Sequence, residues 1–314
     1  MPYLKFANFS RDMERIITGR NCSLLDELNN NGRRIQRRHF GVEVEACDYT
    51  HDFADVDEWT ADDAISALFD TVPDSEDMLF DYGEDCSLLG NCFELRTAPM
   101  TMKLLKALDW DAFFGTLKDN NYRQSDFNTC DRAGIHVHVN KASLKYPKES
   151  AINATLLVAE NYELLRKFAR RSREEFERWA ANPTWVRDSL DSAISKAYYG
   201  DYSEFADGLV DFPMDESRYR AINVTNNDTY ECRMFNSTLN GQDMLDILDF
   251  VDALWTVCDR PVYDMGMSDI INYLKSVGNY HAYDKLTNPP EGKDVYCDWL
   301  EMYCEDDEEE EDDW

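Results

Sequence analysis

The chain of 314 residues is strongly acidic, with 63 Asp and Glu residues against 32 Lys and Arg residues and a net charge of −31. This charge disfavours direct binding to nucleic acid, whose phosphates it would repel, and the sequence has no apolar run of about 18 residues that would predict a transmembrane helix. Hydrophobic residues make up 43% of the chain, which is enough for a substantial core in one large domain or in two.

The nine cysteines are scattered and show no Cys-x-x-Cys spacing, and the first residues lack the apolar stretch of a secretory signal. These features predict reduced thiols and a cytoplasmic location, in the host cytoplasm if the source is a virus. We interpret residues 1–38 as an N-terminal extension, residues 39–300 as the folded domain and residues 301–314 as a disordered acidic tail.

The first half of the chain opens on a basic cluster of Arg33, Arg34, Arg37 and Arg38. Such a cluster is either a solvated charge run or a group that faces carboxylates or an anionic ligand. Hydrophobic periodicity then predicts, in chain order, a strand at 39–49, a helix at 59–72, a turn-rich acidic loop at 81–90, a strand at 93–98 and a helix at 102–119.

The second half is predicted to alternate in the same way between strands and helices. Its longest helical pattern ends in a basic patch, which either holds a polyphosphate or a substrate carboxylate or pairs with neighbouring glutamates on the helix surface. The patch consists of Arg166, Lys167, Arg170, Arg171, Arg173 and Arg178. The predicted elements are a strand at 134–140, a helix at 150–181, a short helix at 189–197, a hairpin of strands 219–225 and 229–235, and helices at 243–257 and 268–277.

Four of these strands place two chemically active side chains on one face. The strand at 134–140 puts His136 and His138 on one side and aliphatic residues on the other. The other polar pairs are Glu43 with Glu45, Glu94 with Arg96, and Glu231 with Arg233. In one antiparallel sheet, these pairs would gather into a surface that binds divalent metal and phosphate. The alternative is an ordinary solvated strand face.

The common nucleotide and hydrolase motifs are absent. The sequence has no Gly-x-x-x-x-Gly-Lys-Ser/Thr loop and no Gly-x-Gly-x-x-Gly loop after a strand, which excludes P-loop and Rossmann sites on motif grounds. It also has no Gly-x-Ser-x-Gly elbow and no His-Glu-x-x-His helix, which disfavours an α/β-hydrolase and a zinc protease.

Six short motifs occur in a fixed order: FGVEVE at 40–45, GEDCSL at 83–88, FELRTAP at 93–99, AGIHVHV at 133–139, RAIN at 220–223 and TYECRMFNSTL at 229–239. In order and spacing they resemble the amidoligase family of carboxylate–amine ligases, which is related to glutamate–cysteine ligase and glutamine synthetase. The resemblance covers residues 39–258. The chain departs from the family at Cys86, where glycine is usual, and at 97–99, where a Ser-Pro-Pro type of ending is usual.

The resemblance implies an α+β fold, with a curled antiparallel β-sheet and helices packed on its outer face. It implies ATP and Mg²⁺ as cofactors, phosphorylation of a substrate carboxylate and attack of an amine on the acyl phosphate. By motif position, the metal ligands would be Glu43, Glu45, Glu94, His136 and Glu231. The catalytic group would comprise Arg233, Glu231, Arg96 and His138, with His138 on the substrate side. Nucleotide contacts would come from Arg171, Asn223 and Arg233.

Two other functions stay open on the sequence. One is a metal-dependent hydrolase that uses the same residues without ATP, and the other is an acidic decoy or inhibitor that binds a basic partner through the tail. Within the ligase hypothesis the carboxylate and the amine are undefined small molecules, peptides or proteins, and a homo-oligomer is neither predicted nor excluded. A general base is not identifiable beyond Asp85. The resemblance allows a phage or bacterial source.

Overall fold

The computed structural model describes residues 38–48, 58–69, 81–84, 91–97, 100–120, 122–123, 133–182, 189–203 and 219–289. The predicted extension up to residue 37, the acidic tail, Asp85 and Cys86 lie outside the described residues. None of the described helices combines the length and apolar character that a membrane crossing requires.

The described residues form one antiparallel sheet of eight strands, with the main order β2-β3-β1-β6-β8-β7. Two short strands, β4 and β5, pair with the two ends of β1. The strands are β1 (His39–Asp48), β2 (Asp81–Glu84), β3 (Asn91–Arg96), β4 (Met100–Thr101), β5 (Tyr122–Arg123), β6 (Gly134–Asn140), β7 (Ile222–Asn223) and β8 (Thr229–Asn236).

Helices lie in the connections between strands and, in chain order, after the last strand. They are α1 (Glu58–Phe69), α2 (Met102–Leu105), α3 (Trp110–Asp119), α4 (Pro147–Glu160), α5 (Tyr162–Phe168), α6 (Arg173–Trp179), α7 (Leu190–Tyr198), α8 (Gly241–Cys258), α9 (Met267–Ser276) and α10 (Tyr280–Thr287). The predicted α+β class with an antiparallel sheet is confirmed.

The hydrophobic core lies between one face of the sheet and α8. Tyr230 of β8 stacks on Trp255 of α8, with ring centroids 5.6 Å apart, and Phe235 packs against Phe250. Full burial of a large apolar side chain stabilises a fold by about 1.5–3 kcal/mol. Because apolar and polar residues alternate along the strands, one face of the sheet packs against the helices and the opposite face carries polar residues.

The helix predicted at 150–181 is wrong as a single element, because the structure divides it into α4, α5 and α6. Arg170 has a φ of 60°, in the left-handed region that an α-helix does not use. Ser172 then starts α6 with a capping box, in which its side chain accepts from the backbone of Glu175 and the Glu175 side chain accepts from the backbone of Ser172. The break turns Arg171 away from the helix surface.

Two other sequence expectations need correction. The helix predicted at 102–119 is interrupted because the Asp109 side chain caps the start of α3. The acidic loop predicted at 81–90 begins as a strand, since Asp81–Glu84 pairs with β3. The hairpin around residues 226–228 is confirmed, and α10 is an additional helix that the sequence pattern did not indicate.

Candidate active site

The register of the sheet brings the predicted polar side chains onto one surface. Glu43 of β1 lies opposite His136 on one side and Arg96 on the other, while Glu45 lies opposite Glu94. Directly opposed residues of antiparallel strands project to the same face. We call this surface the polar face, and its members are Glu43, Glu45, Glu94, Arg96, His136, His138, Asn223, Glu231 and Arg233.

A β-bulge shapes the polar face on β8. Arg233 and Met234 together occupy the space opposite the single residue His136. In a regular strand, Phe235 would project to the same face as Arg233. The bulge instead turns Phe235 into the core beside Phe250 and leaves Arg233 on the polar face, where it donates to Glu231.

Three ligand atoms converge at the centre of the polar face. One atom each of Glu43, His138 and Glu231 lies within 4.8 Å of the other two. The His138 Nε2 atom is 3.2 Å from Glu43 Oε1 and 4.0 Å from Glu231 Oε1. Its other ring nitrogen, Nδ1, lies 3.1 Å from Thr229 Oγ1, an outer contact of the kind that orients a metal-binding imidazole. The arrangement suits a divalent cation.

The second histidine faces three carboxylates through a single nitrogen. His136 Nδ1 is 3.2 Å from Glu43 Oε2, 3.6 Å from Glu231 Oε1 and 3.7 Å from Glu45 Oε1. The sequence predicts His136 as the metal ligand, but the compact group of ligand atoms contains His138. The division of roles between the two histidines therefore stays a prediction.

Neighbouring histidines and an arginine keep the central carboxylates, Glu43 and Glu231, ionised. Burial acts to raise the pKa of Glu43, but His138 and His136 outweigh it and hold the pKa well below its ordinary value. Burial opposes ionisation of Glu231 too, yet His138 and Arg233 lower its pKa. The pKa of His138 is raised, because Glu43 and Glu231 outweigh its burial. Two charged carboxylates therefore face the centre of the site.

Glu94 is electrostatically different from the other carboxylates. Burial and the charge of Glu43 raise the pKa of Glu94 to about 8, although its partner Arg96 acts in the opposite direction. The Arg96 side chain is 44% exposed, so it lies at the rim of the polar face. At neutral pH the Glu94 carboxyl holds a proton that a bound cation would displace. The predicted roles of Glu94 and Arg96 stay predictions.

We expect Glu94→Gln to stabilise the metal-free protein more at pH 9 than at pH 5. Folding raises the pKa of Glu94 to about 8. The contribution of Glu94 to the free energy of unfolding is therefore complete below the pKa that it has in the unfolded chain, and it is lost as the pH rises through 8. Thermal unfolding in EDTA at pH 5, 7 and 9 measures this difference in Tm. A difference that is equal at the three pH values would contradict the assignment.

Glu231 is held from behind by two amides of the β7–β8 hairpin. Asn223 Nδ2 and Asn226 Nδ2 donate to Glu231 Oε2 at 2.8 and 3.2 Å. The backbone N–H of Thr225 donates to Asn223 Oδ1 at 3.0 Å, which fixes the orientation of that amide. Lys141 Nζ donates to the backbone carbonyl of Asn226 and anchors the turn. The sequence pattern indicates only a turn residue at Asn226 and does not predict its contact with Glu231.

We expect Asn226→Ala to weaken Mn²⁺ binding about 10-fold, the lower end of the range for outer contacts of a metal site. The reason is that Glu231 Oε2 would lose one of its two amide donors. Titration of Mn²⁺ followed by electron paramagnetic resonance measures the affinity. The matched control is Asn227→Ala in the exposed neighbouring position, which should bind Mn²⁺ as the wild type does. Equal affinities in both variants would contradict the account.

Arg171 lies beside the polar face, but its donors are largely engaged. The side chain is buried, and it donates from Nε to Met234 O at 3.1 Å and from Nη2 to Phe235 O at 3.0 Å. Its predicted contact with phosphate stays a prediction. Two other arginines of the basic patch, Arg166 and Arg173, both pair with Glu163.

The basic cluster before β1 is described only at its last residue. Arg38 pairs with Asp252 of α8 at 3.6 Å and also donates to Thr256 on the same helix. Arg38 therefore contacts the helical layer. The other three arginines of the cluster lie outside the described residues.

Comparison with known families gives a match over part of the chain. Residues 116–255 match a family model described as "Putative amidoligase enzyme", and the match supports the assignment of the chain to the amidoligase family. The matched segment contains β6, β7, β8 and therefore both histidines, Glu231 and Arg233, whereas Glu43 and Glu94 precede it. A search of curated proteins found no match to the chain.

Proposed function

From the amidoligase assignment of residues 116–255, we propose that the chain is an ATP- and Mg²⁺-dependent ligase that joins a carboxylate to an amine through an acyl phosphate. The observation that carries the proposal is the convergence of Glu43, His138 and Glu231 within 4.8 Å, beside the guanidinium of Arg233. Carboxylates hold a hard cation and the arginine fork suits phosphoryl oxygens, so the two together fit a metal–nucleotide complex.

The residues present fit a divalent metal. Glu43, Glu231 and His138 would hold one ion, while Glu45 and Glu94 offer carboxylates on the adjoining part of the polar face. Oxygen donors suit Mg²⁺, and the imidazole also suits Mn²⁺. When bound, the metal neutralises phosphate charge that develops during phosphoryl transfer.

Arg233 is the residue that the geometry favours for contact with phosphate. It donates to Glu231, and the nearby charges of Glu231, Glu45 and Glu43 outweigh burial and raise its pKa, so it stays cationic. Its buried Nε atom has no hydrogen-bond acceptor among the described residues. An oxygen of the transferring phosphoryl group would supply that acceptor, and the same bond would stabilise the transition state.

The proposed reaction has two steps. An oxygen of the substrate carboxylate attacks the γ-phosphorus of ATP, which forms an acyl phosphate and releases ADP. The amine nitrogen then attacks the acyl carbon, the bond from that carbon to the phosphate oxygen breaks, phosphate leaves and the nitrogen loses a proton. Arg96 at the rim would contact the substrate, while Asn223 keeps Glu231 in place. The substrates are small molecules, peptides or proteins.

A metal-dependent hydrolase is the second candidate. The observation that favours it is the His138 imidazole within the ligand group, because nitrogen ligands suit the transition metals of many hydrolases. Such an enzyme would bind the metal, but it would not need Arg233 to contact a nucleotide. The two candidates therefore differ in their response to ATP.

Isothermal titration calorimetry of the full chain separates the two. We expect MgATP to bind and Mg²⁺ alone to bind more weakly. In a parallel thermal-shift series, MgATP at 100 times its dissociation constant should add about 2.7 kcal/mol to the free energy of unfolding. AMP with Mg²⁺ is the matched control, since it lacks the β- and γ-phosphates. Metal binding without any MgATP binding would reject the ligase and favour the hydrolase.

A further inference from the structure

The outer edge of β8 loses its neighbouring strand at the bulge. β7 pairs with β8 only at Ile222 with Cys232 and at Asn223 with Glu231. One further bond runs from the Arg233 N–H to Ala221 O at 3.0 Å. Beyond that point the ladder of β7 does not continue along β8. Backbone carbonyls that face a buried edge need another donor.

Arg171 supplies two donors beside the bulge. Its Nε and Nη2 atoms bond the carbonyls of Met234 and Phe235, which are the second residue of the bulge and the residue after it. The segment before Arg171 continues the same contact, because Asn236 donates from its backbone N–H to Ala169 O at 2.9 Å and from Nδ2 to Arg170 O at 3.1 Å. The segment 169–171 thus takes the place of a missing strand.

Gly134 makes room for this guanidinium on the polar side. A Cβ atom at position 134 would lie 2.7 Å from Arg171 Nη2, 3.0 Å from Phe235 O and 3.1 Å from His136 Nε2. The Gly134 N–H also donates to Glu45 Oε2 at 2.6 Å. Arg171 therefore lies between the bulge of β8 and the metal-facing residues of β6 and β1.

We infer that Arg171 is a positioning residue that holds the β8 bulge in place and so keeps Arg233 directed at Glu231. This inference rests on the proposed function only for the phosphate-binding task of Arg233. The bulge is what keeps Arg233 on the polar face while Phe235 enters the core. A residue that bonds the carbonyls of Met234 in the bulge and of Phe235 after it controls that geometry.

Arginine suits this task because its planar fork can donate to two neighbouring carbonyls at once. Lysine would keep the positive charge but would place one ammonium group where Arg171 places two directed N–H groups. Arg171→Lys therefore removes the positioning contact and leaves the local charge nearly unchanged. A change in metal affinity in that variant would reflect geometry rather than charge.

A double-mutant cycle tests the inference in nucleotide-free protein. Mn²⁺ affinity is measured by electron paramagnetic resonance for the wild type, Arg171→Lys, Arg233→Lys and the double variant. We expect each single variant to bind Mn²⁺ about 10-fold more weakly, since each disturbs the contact that orients Glu231 Oε1. The double variant should be no weaker than the weaker single variant, because Arg171 acts through Arg233.

The control is Arg170→Lys, the same change one residue earlier, where the guanidinium pairs with Asp243 away from the polar face. This control should bind Mn²⁺ within twofold of the wild type. Independent effects that multiply in the double variant, or an Arg171→Lys affinity equal to that of the wild type, would overturn the inference. If Arg171→Lys does not fold, Gly134→Ala displaces the same guanidinium, and unchanged Mn²⁺ affinity in it would likewise overturn the inference.

The failure of the proposed function would look different. A wild type that binds Mn²⁺ but not MgATP would reject the ligase, while the Mn²⁺ cycle would still report whether Arg171 positions Arg233. Conversely, an Arg171→Lys variant with normal Mn²⁺ affinity and weakened MgATP affinity would make Arg171 a phosphate contact and would overturn the positioning role.

Discussion

Glu231→Gln should weaken Mn²⁺ and Mg²⁺ binding by more than about 100-fold, beyond the range for outer contacts of a metal site. Glu231 Oε1 belongs to the compact ligand group and lies 4.0 Å from His138 Nε2. Asn223 and Asn226 both donate to Glu231 Oε2, so a glutamine would turn its own oxygen toward them. Its NH₂ group would then face the cation. Mn²⁺ titration by electron paramagnetic resonance measures the loss.

Glu163→Gln on α5 is the matched control for this prediction. Glu163 is a half-exposed glutamate that pairs with Arg166 and with Arg173. The control should retain Mn²⁺ and MgATP binding, and circular dichroism should show that both variants are folded. Full metal affinity in Glu231→Gln would remove Glu231 from the site and, with it, the basis of the proposed ligase.

Phe235→Ala should destabilise the protein by about 3–5 kcal/mol, the typical cost of deleting a buried aromatic side chain. Phe235 is fully buried, and its ring lies 6.0 Å from that of Phe250 and 6.5 Å from that of Phe168. The bulge is the reason for this burial, because a regular β8 would put the ring on the polar face. Urea unfolding measures the change in the free energy of unfolding.

Tyr199→Ala is the surface control for Phe235→Ala. The Tyr199 side chain is 81% exposed, so its removal should change the free energy of unfolding by no more than about 0.5 kcal/mol. A loss below about 1 kcal/mol in Phe235→Ala would mean that the ring is not in the core. The β8 bulge, and the inference on Arg171, would then lose their support.

Sequence alternation predicted the composition of the polar face well. A period of two decides which side chains share a face within one strand. Glu43 and Glu45, and likewise His136 and His138, were therefore correctly predicted to share a face. The structure adds the register between strands, which sets Glu43 opposite His136 and Glu231 opposite His138. Register depends on contacts between distant segments, and a local pattern does not contain them.

The features that the sequence missed depend on tertiary contacts. The β8 bulge adds one residue, Met234, without any glycine or proline to mark it. The end of α5 is not marked by a glycine or a proline either. Arg170 adopts a left-handed φ of 60° there, in a segment that is bonded to Asn236. Asn226 looks like an ordinary hairpin residue until Glu231 is placed beside it. In each case the partner lies on another element or across a turn.

Anomalous diffraction from crystals grown with Mn²⁺ and a non-hydrolysable ATP analogue tests the central claim most directly. We predict a Mn²⁺ peak bonded to Glu43, Glu231 and His138 Nε2, with the terminal phosphate of the analogue against Arg233. A nucleotide bound elsewhere, or a metal peak away from the polar face, would contradict the account. A metal on the polar face with no nucleotide would favour the hydrolase instead.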